Sequence, residues 1–266
     1  MSAHPKADVP FDWFLGVRFS RIGMDDTIRL IAERPVGDAF ITVSTPNAQH
    51  VVRIQRGDAR AIAAHDHAWV TPCDSRILVG LAKLLFGLHL PLVAGSDLTR
   101  LLFERVIDKD EPITVIGGNP ELEHRLRSQL GLTRLALFDP PYGFYNHPAE
   151  MDRAAAFVEA HPARFIFLAC GTPQSELLGI HIQNRGHATG VGLAIGASLM
   201  FLTGQVTRAP RLFQVTGLEW LYRLLQEPRR LWRRFVHDQL PVIPIALKFR
   251  LNRGLTTDQS RRGQWR

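Results

Sequence analysis

A chain of 266 residues that is 45% hydrophobic and 21% charged has the composition of a globular protein, one large domain with an appendage rather than two equal domains. Its net charge of +7 is uneven: from Arg208 onward thirteen Lys/Arg face four Asp/Glu, which leaves the first 207 residues at −2, so an anion drawn by that charge meets the tail. Two cysteines, Cys73 and Cys170, without CxxC spacing speak against a disulfide framework or structural zinc and fit a reducing cytoplasm.

In chain order, the opening "MSAHPKADVPFDWFLG" has no basic segment followed by a long apolar core, so no secretory signal is expected. No apolar run reaches the roughly 18 to 20 residues of a spanning helix, and "LPVIPIALKF" is short and holds two prolines. The reading is a soluble or peripheral protein. Between about Asp38 and Thr203 short β-branched runs alternate with helix-like segments. "AFITVS" leads into "TPNAQHVVRIQRG", "HAWVTP" into "CDSRILVGLAKLLFG" and "PITVIGG" into "NPELEHRLRSQLG". "RLALFDP" then leads into "AEMDRAAAFVEAHP", and "RFIFLACG" into "TPQSELLGIHIQNRG". Continuous apolar strands alternating with helices predict an α/β fold, a mostly parallel sheet with helices on both faces. Ligands of such sheets sit beyond the carboxyl ends of the strands. The cleft is therefore expected among "STPN", "TPCDS", "IGGNP", "FDPPYG" and "CGTPQSE".

Neither GxGxxG nor GxxxxGK[ST] occurs, so the standard dinucleotide and P-loop readings lack their main support. "IGGNP" reads either as a tight strand-to-helix turn or as a backbone cradle for a phosphate. Asp97 is read as a cap for "LTRLLFERV". The eleven histidines form no HxxxH or HExxH pattern, and no metal or other cofactor is expected. After Arg208 the alternation stops. "GLEWLYRLLQE" reads as one helix and Pro228 as the first residue of a second. In that second helix Arg230, Arg233, Arg234 and His237 share one face, with Leu231, Trp232, Phe235 and Val236 on the other. The final "TTDQSRRGQWR" reads as disordered. The predicted division is a core over 1–207 and a basic helical appendage over 208–266.

The tail "RAPRLFQVTGLEWLYRLLQEPRRLWRRF" resembles the C-terminal signature of the WecG/TagA/CpsF bacterial glycosyltransferases, glycosyltransferase family 26. "TPN" at Thr45–Asn47, "GSDL" at Gly95–Leu98 and "GTPQSE" at Gly171–Glu176 follow that family's order and spacing. The resemblance, over roughly residues 35 to 240, implies a Rossmann-like core and a metal-independent, inverting transfer. The sugar would move from a UDP-sugar to a lipid-diphosphate-linked saccharide at the cytoplasmic face of the membrane. Arg223, Arg230 and Arg233 would contact the nucleotide diphosphate, where fixed guanidinium groups neutralise a leaving group that gains charge. Asp74 matches the family's base, which takes the proton from the incoming hydroxyl; it or Ser75 would also serve as a helix cap. Thr45 and Asn47 match positions lining the cleft, turn chemistry around Pro46 being the alternative, and Arg208 matches a residue near it.

Three positions depart from the family. Leu92 stands where an arginine is usual, Ser175 replaces the glutamine of Pro-x-Gln-Glu with Gln174 beside it, and Met200 replaces an aspartate. These changes predict a different donor or acceptor. They also leave open a catalytically silent scaffold among other polysaccharide-assembly enzymes. A third reading takes the basic tail as a contact for anionic membrane or nucleic acid, the latter disfavoured because no reader motif appears.

Overall fold

A computed structural model describes residues 6–207, 209–210, 213, 222, 224–225 and 228–255. The chain opens with an antiparallel hairpin, β1 (Phe11–Phe14) and β2 (Val17–Ser20). Its two turn residues, Leu15 and Gly16, have φ of 50° and 70°, the left-handed pair that matches the twist of a tight hairpin. Helix α1 (Met24–Ala32) leads to the first strand of the main sheet.

That sheet contains β3 (Ile41–Ser44), β4 (Ile113–Ile116), β5 (Leu135–Phe138), β6 (Phe165–Leu168) and β7 (Val191–Ala194). The spatial order is β3-β7-β6-β4-β5, and every one of these pairings is parallel. The α/β, Rossmann-like expectation is thus met. In β6 all four side chains are fully buried, yet they divide by parity. Phe165 and Phe167 enter the core that α1, α5 and α6 cover, and Ile166 and Leu168 enter the core under α7 and α8. Period-two alternation with both faces apolar is what a sheet covered on each side requires, and each such phenylalanine contributes about 2 to 3 kcal/mol of burial.

The remaining helices are α2 (Ala48–Gln55), α3 (Ala59–His67), α4 (Arg76–Phe86), α5 (Gly95–Arg105) and α6 (Pro120–Leu130). They continue with α7 (Pro148–Ala160), α8 (Gln174–Arg185), α9 (Ser198–Leu202), α10 (Pro228–Asp238) and α11 (Val242–Leu255). Pro228 opens α10 as expected. Two readings need correction. "HAWVTP" forms no full strand: Val70 makes a single parallel bridge to Val43, flanked by Trp69 N–H donating to Thr42 O at 2.7 Å and Ser44 N–H donating to Val70 O at 3.1 Å. The segment runs beside β3 for one step and then breaks at Pro72. Asp97 is no cap either, because α5 begins two residues earlier, with Ala94 in the capping position and Asp97 within the first turn.

A second core lies beside the sheet. Phe14, Val17 and Phe19 of the hairpin pack with Val51 and Val52 of α2, Leu78 and Ala82 of α4, and Val242 and Ala246 of α11. The predicted apolar face of α10 divides: Phe235 is buried, whereas Trp232 and Val236 stay exposed. "GLEWLYRLLQE" and "TTDQSRRGQWR" fall mainly or wholly outside the described residues.

Candidate active site

The loops at the carboxyl rim of the sheet converge on the start of α5. Each reaches it for a local reason. After β3, Thr45 and Pro46 lead to Asn47, whose side-chain oxygen accepts from Gln49 N–H at 3.0 Å and so caps α2. Asp74 N–H donates to Pro46 O at 3.0 Å, and Val93 N–H donates to Cys73 O at 2.8 Å. The "TPCDS" loop is therefore held between the loop after β3 and the segment that enters α5. Ser75 completes it by capping α4, its hydroxyl accepting from Leu78 N–H at 3.3 Å. Capping of each helix start satisfies donors that would otherwise be orphaned.

At the centre is Gly95. A methyl group there would lie 3.1 Å from Thr45 Oγ1, 3.5 Å from Asp74 Oδ2 and 3.7 Å from Ser198 Oγ. Three oxygens from three separate loops thus face one small volume that only glycine leaves open. Thr45 and Ser198 are buried, and Asp74 is half-buried. Ser198 Oγ donates to Ile195 O at 2.6 Å, which leaves its lone pairs as acceptors. A carboxylate beside two hydroxyls can accept a proton from an incoming alcohol while the hydroxyls bind neighbouring oxygens.

The topological switch point lies next along the rim. From β4 the chain steps to β5 on one side and then to β6 on the other, and crevices at such reversals are where doubly wound sheets bind ligands. Gly117, with φ of 95°, lines the crevice; a Cβ there would meet Ala169 C at 2.9 Å and Cys170 Sγ at 3.0 Å. Burial pushes both the Cys73 and the Cys170 thiol up to about 12, so each stays protonated and neither offers a nucleophilic thiolate. At the end of β5, desolvation holds the Asp139 carboxyl above its usual range.

The sequence model of the Glycosyl transferase WecG/TagA/CpsF family matches residues 13–255. The chain belongs to this family. As a WecG/TagA/CpsF glycosyltransferase it acts on a sugar donor and an acceptor. Of the candidate residues, Thr45, Asn47 and Asp74 come together at the loops after β3 and before α4. Gln174 and Ser175 open α8, on the loop after β6. Ser175 is 1% exposed, its hydroxyl donating to Leu168 O at 2.8 Å and accepting from Cys170 N–H at 3.1 Å, whereas Gln174 Oε1 is buried without a partner among the described residues. Arg208 and Arg223 lie outside the described residues. Arg230 and Arg233 occupy α10, whose backbone alone is described at those positions. Helix α10 touches α2, and Arg56 and Asp238 meet at 3.9 Å.

The three departures fall in distinct settings. Leu92 bridges to Cys73, Ser175 ties the loop after β6 to its own strand, and Met200 packs against the main core. Among the described residues no group of three His, Cys, Asp or Glu is placed to hold a metal ion, and no helix is long and apolar enough to cross a membrane. The sequence reading missed Gly95 as the pivot and Ser198 as a contributor, because β7, which delivers Ser198, was not among the expected strands. It also missed His50 and Glu176. His50 accepts from Asn47 N–H at 3.2 Å, three residues after the cap, where a capping-box partner is found. That spacing was available as a signal.

Proposed function

We propose that this glycosyltransferase moves a sugar, with inversion, from a UDP-sugar to a lipid-diphosphate-linked saccharide during synthesis of bacterial exopolysaccharide or another cell-surface glycan. The observation that carries the reading is the cluster of Thr45 Oγ1, Asp74 Oδ2 and Ser198 Oγ around Gly95, one residue set from three rim loops. In the transfer, the acceptor hydroxyl oxygen bonds to the anomeric carbon on the face opposite the nucleotide. Asp74 takes the proton from that hydroxyl, and the bond between the anomeric carbon and the diphosphate oxygen breaks. Thr45, Asn47 and Ser198 bind the hydroxyl groups of donor or acceptor. Gln174, at the start of α8, binds substrate with them, and Ser175 shapes the loop after β6.

The leaving diphosphate gains negative charge as the bond breaks. Arg223, Arg230 and Arg233, with Arg208 nearby, supply planar, permanently charged donors for it and let the reaction proceed without a divalent cation. The contact of α10 with α2 keeps the appendage on the helix that follows Asn47. The appendage also supplies a membrane contact at the inner face of the cell membrane, where a lipid-linked acceptor resides. Ile243, Leu247 and Leu251 are all exposed and recur at helical spacing along α11, with exposed Leu240 just before it. Lys248 and Arg250 are exposed beside them, the combination of apolar stripe and basic flank that suits an anionic bilayer surface.

The test is a panel of UDP-sugars incubated with purified protein, native lipid-linked acceptor and EDTA, followed by mass analysis of the lipid fraction. A mass increment of one sugar is the expected result. Asp74→Asn should slow it about a hundredfold or more without lowering the melting temperature, and transfer at the wild-type rate by that variant would refute the role of Asp74.

A further inference from the structure

Outside the oxygen cluster, one buried polar group joins two rim loops and has no part in the chemistry above. His50 on α2 and Glu176 on α8 meet at 3.0 Å between Nε2 and Oε1, with side chains 14% and 6% exposed. Thr172 Oγ1–H donates to the same Oε1 at 2.9 Å, while Glu176 Oε2 is buried without a partner among the described residues. On the other edge of the ring, Nδ1 accepts from Asn47 N–H at 3.2 Å and lies 3.1 Å from Asn47 Oδ1. Because Nδ1 accepts from a backbone N–H, the ring proton sits on Nε2 and points at Glu176.

A buried pair of this kind is a poor stabiliser, since desolvation offsets most of the attraction and an apolar pair of the same volume would hold the helices as well. What it does supply is orientation. Asn47 Oδ1 is turned onto α2 by Gln49 N–H at 3.0 Å, while the imidazole Nδ1, accepting from Asn47 N–H at 3.2 Å, fixes the backbone that carries this side chain. The carboxamide nitrogen is consequently turned the other way, as a donor. We propose that the His50–Glu176 pair is a positioning device that fixes the Asn47 carboxamide so that its nitrogen donates to a sugar hydroxyl in the cleft. The proposal rests on the sugar-transfer reading. Asn47 binds substrate; His50 and Glu176 act through it.

The experiment has two arms. In the first, 15N spectra of wild type should show His50 as the single Nε2–H tautomer and the Asn47 side-chain amide as a sharp, resolved pair. His50→Ala should broaden or merge that pair, and His50→Gln, which offers both an acceptor and a donor, should restore it. In the second arm, His50→Ala should lower kcat roughly ten- to a hundredfold with a smaller change in KM, and His50→Gln should recover most of it. In an Asn47→Ala background the His50→Ala change should have no further effect. Glu176→Gln, which keeps an acceptor, serves if His50→Ala does not fold. Multiplying effects of the Asn47 and His50 changes would overturn the proposal, as would an Asn47 amide signal indifferent to His50→Ala. Absence of sugar transfer by wild type would sink the transfer reading instead, and the spectral arm would still decide whether the lock exists.

Discussion

Replacing Gly95 by alanine tests the candidate site with little confounding from folding. Gly95 is the first residue of α5 and does not have a left-handed backbone, so alanine is conformationally welcome there. Glycine-to-alanine changes inside helices stabilise by roughly 0.5 to 1 kcal/mol. The new methyl, however, would sit 3.1 Å from Thr45 Oγ1 and 3.5 Å from Asp74 Oδ2. The nearer contact is tighter than ordinary van der Waals packing, so Thr45 must yield by a few tenths of an ångström and the space among the three oxygens is filled. Displacements of this size at a reacting centre reduce rates on the order of tenfold or more. Gly80→Ala on α4 is the control, because a Cβ there has nothing within 4 Å. Both variants should melt within about 4 °C of wild type, with Gly80→Ala slightly higher. Only Gly95→Ala should lose sugar transfer. Full transfer by Gly95→Ala would refute the idea that the placement of Thr45 and Asp74 around Gly95 matters to the reaction; a large fall in its melting temperature would refute the claim that the added methyl is structurally tolerated.

Three further predictions bear on separate parts of the molecule. His65 is buried, its Nε2 accepts from Arg18 N–H at 3.0 Å, and burial depresses its pKa from 6.5 to about 3. The unfolded chain therefore binds a proton below about pH 6.5 that the folded chain refuses, so the stability tied to neutral His65 is complete above that pH and is lost as pH falls toward 3. Between pH 7.5 and 5 wild type should lose about 2 kcal/mol through this group in urea unfolding, and His65→Gln should lack that component; identical pH dependence in the two proteins would contradict it. Leu247→Glu with Leu251→Glu should weaken binding to phosphatidylserine vesicles at least tenfold and leave the fold intact, because both side chains are exposed; unchanged vesicle binding would exclude α11 as the contact. Arg230→Ala with Arg233→Ala should weaken UDP affinity in EDTA, measured by calorimetry, by about tenfold or more, and unaltered affinity would remove the appendage from the diphosphate site.

The parallel sheet was legible because β4 and β6 are continuous apolar runs closed by glycine or proline turns. "HAWVTP" has the same composition, and only the ladder decides against it: Pro72 has no N–H to continue pairing past the bridge at Val70. Strand β7 escaped because "VGLAIG" is rich in Gly and Ala, which weaken the β-branched signal. Helix α11 escaped because Pro241 and Pro244 look like breakers. Pro244 is the third residue of α11, where a backbone N–H has no intrahelical partner to lose. In the site, Asp74 and Asn47 were legible through motif positions. The convergence at Gly95 was not, since no local pattern reports that Ser198 arrives from a strand far along the chain.

The seat of α11 changes how this protein can be cut. Val242 and Ala246 are fully buried against the hairpin and against α2 and α4, the very helices whose first turns carry Asn47 and Ser75. Truncation near residue 207 to isolate a minimal catalytic fragment would unroof that apolar floor and loosen the two loops on which the chemistry is built.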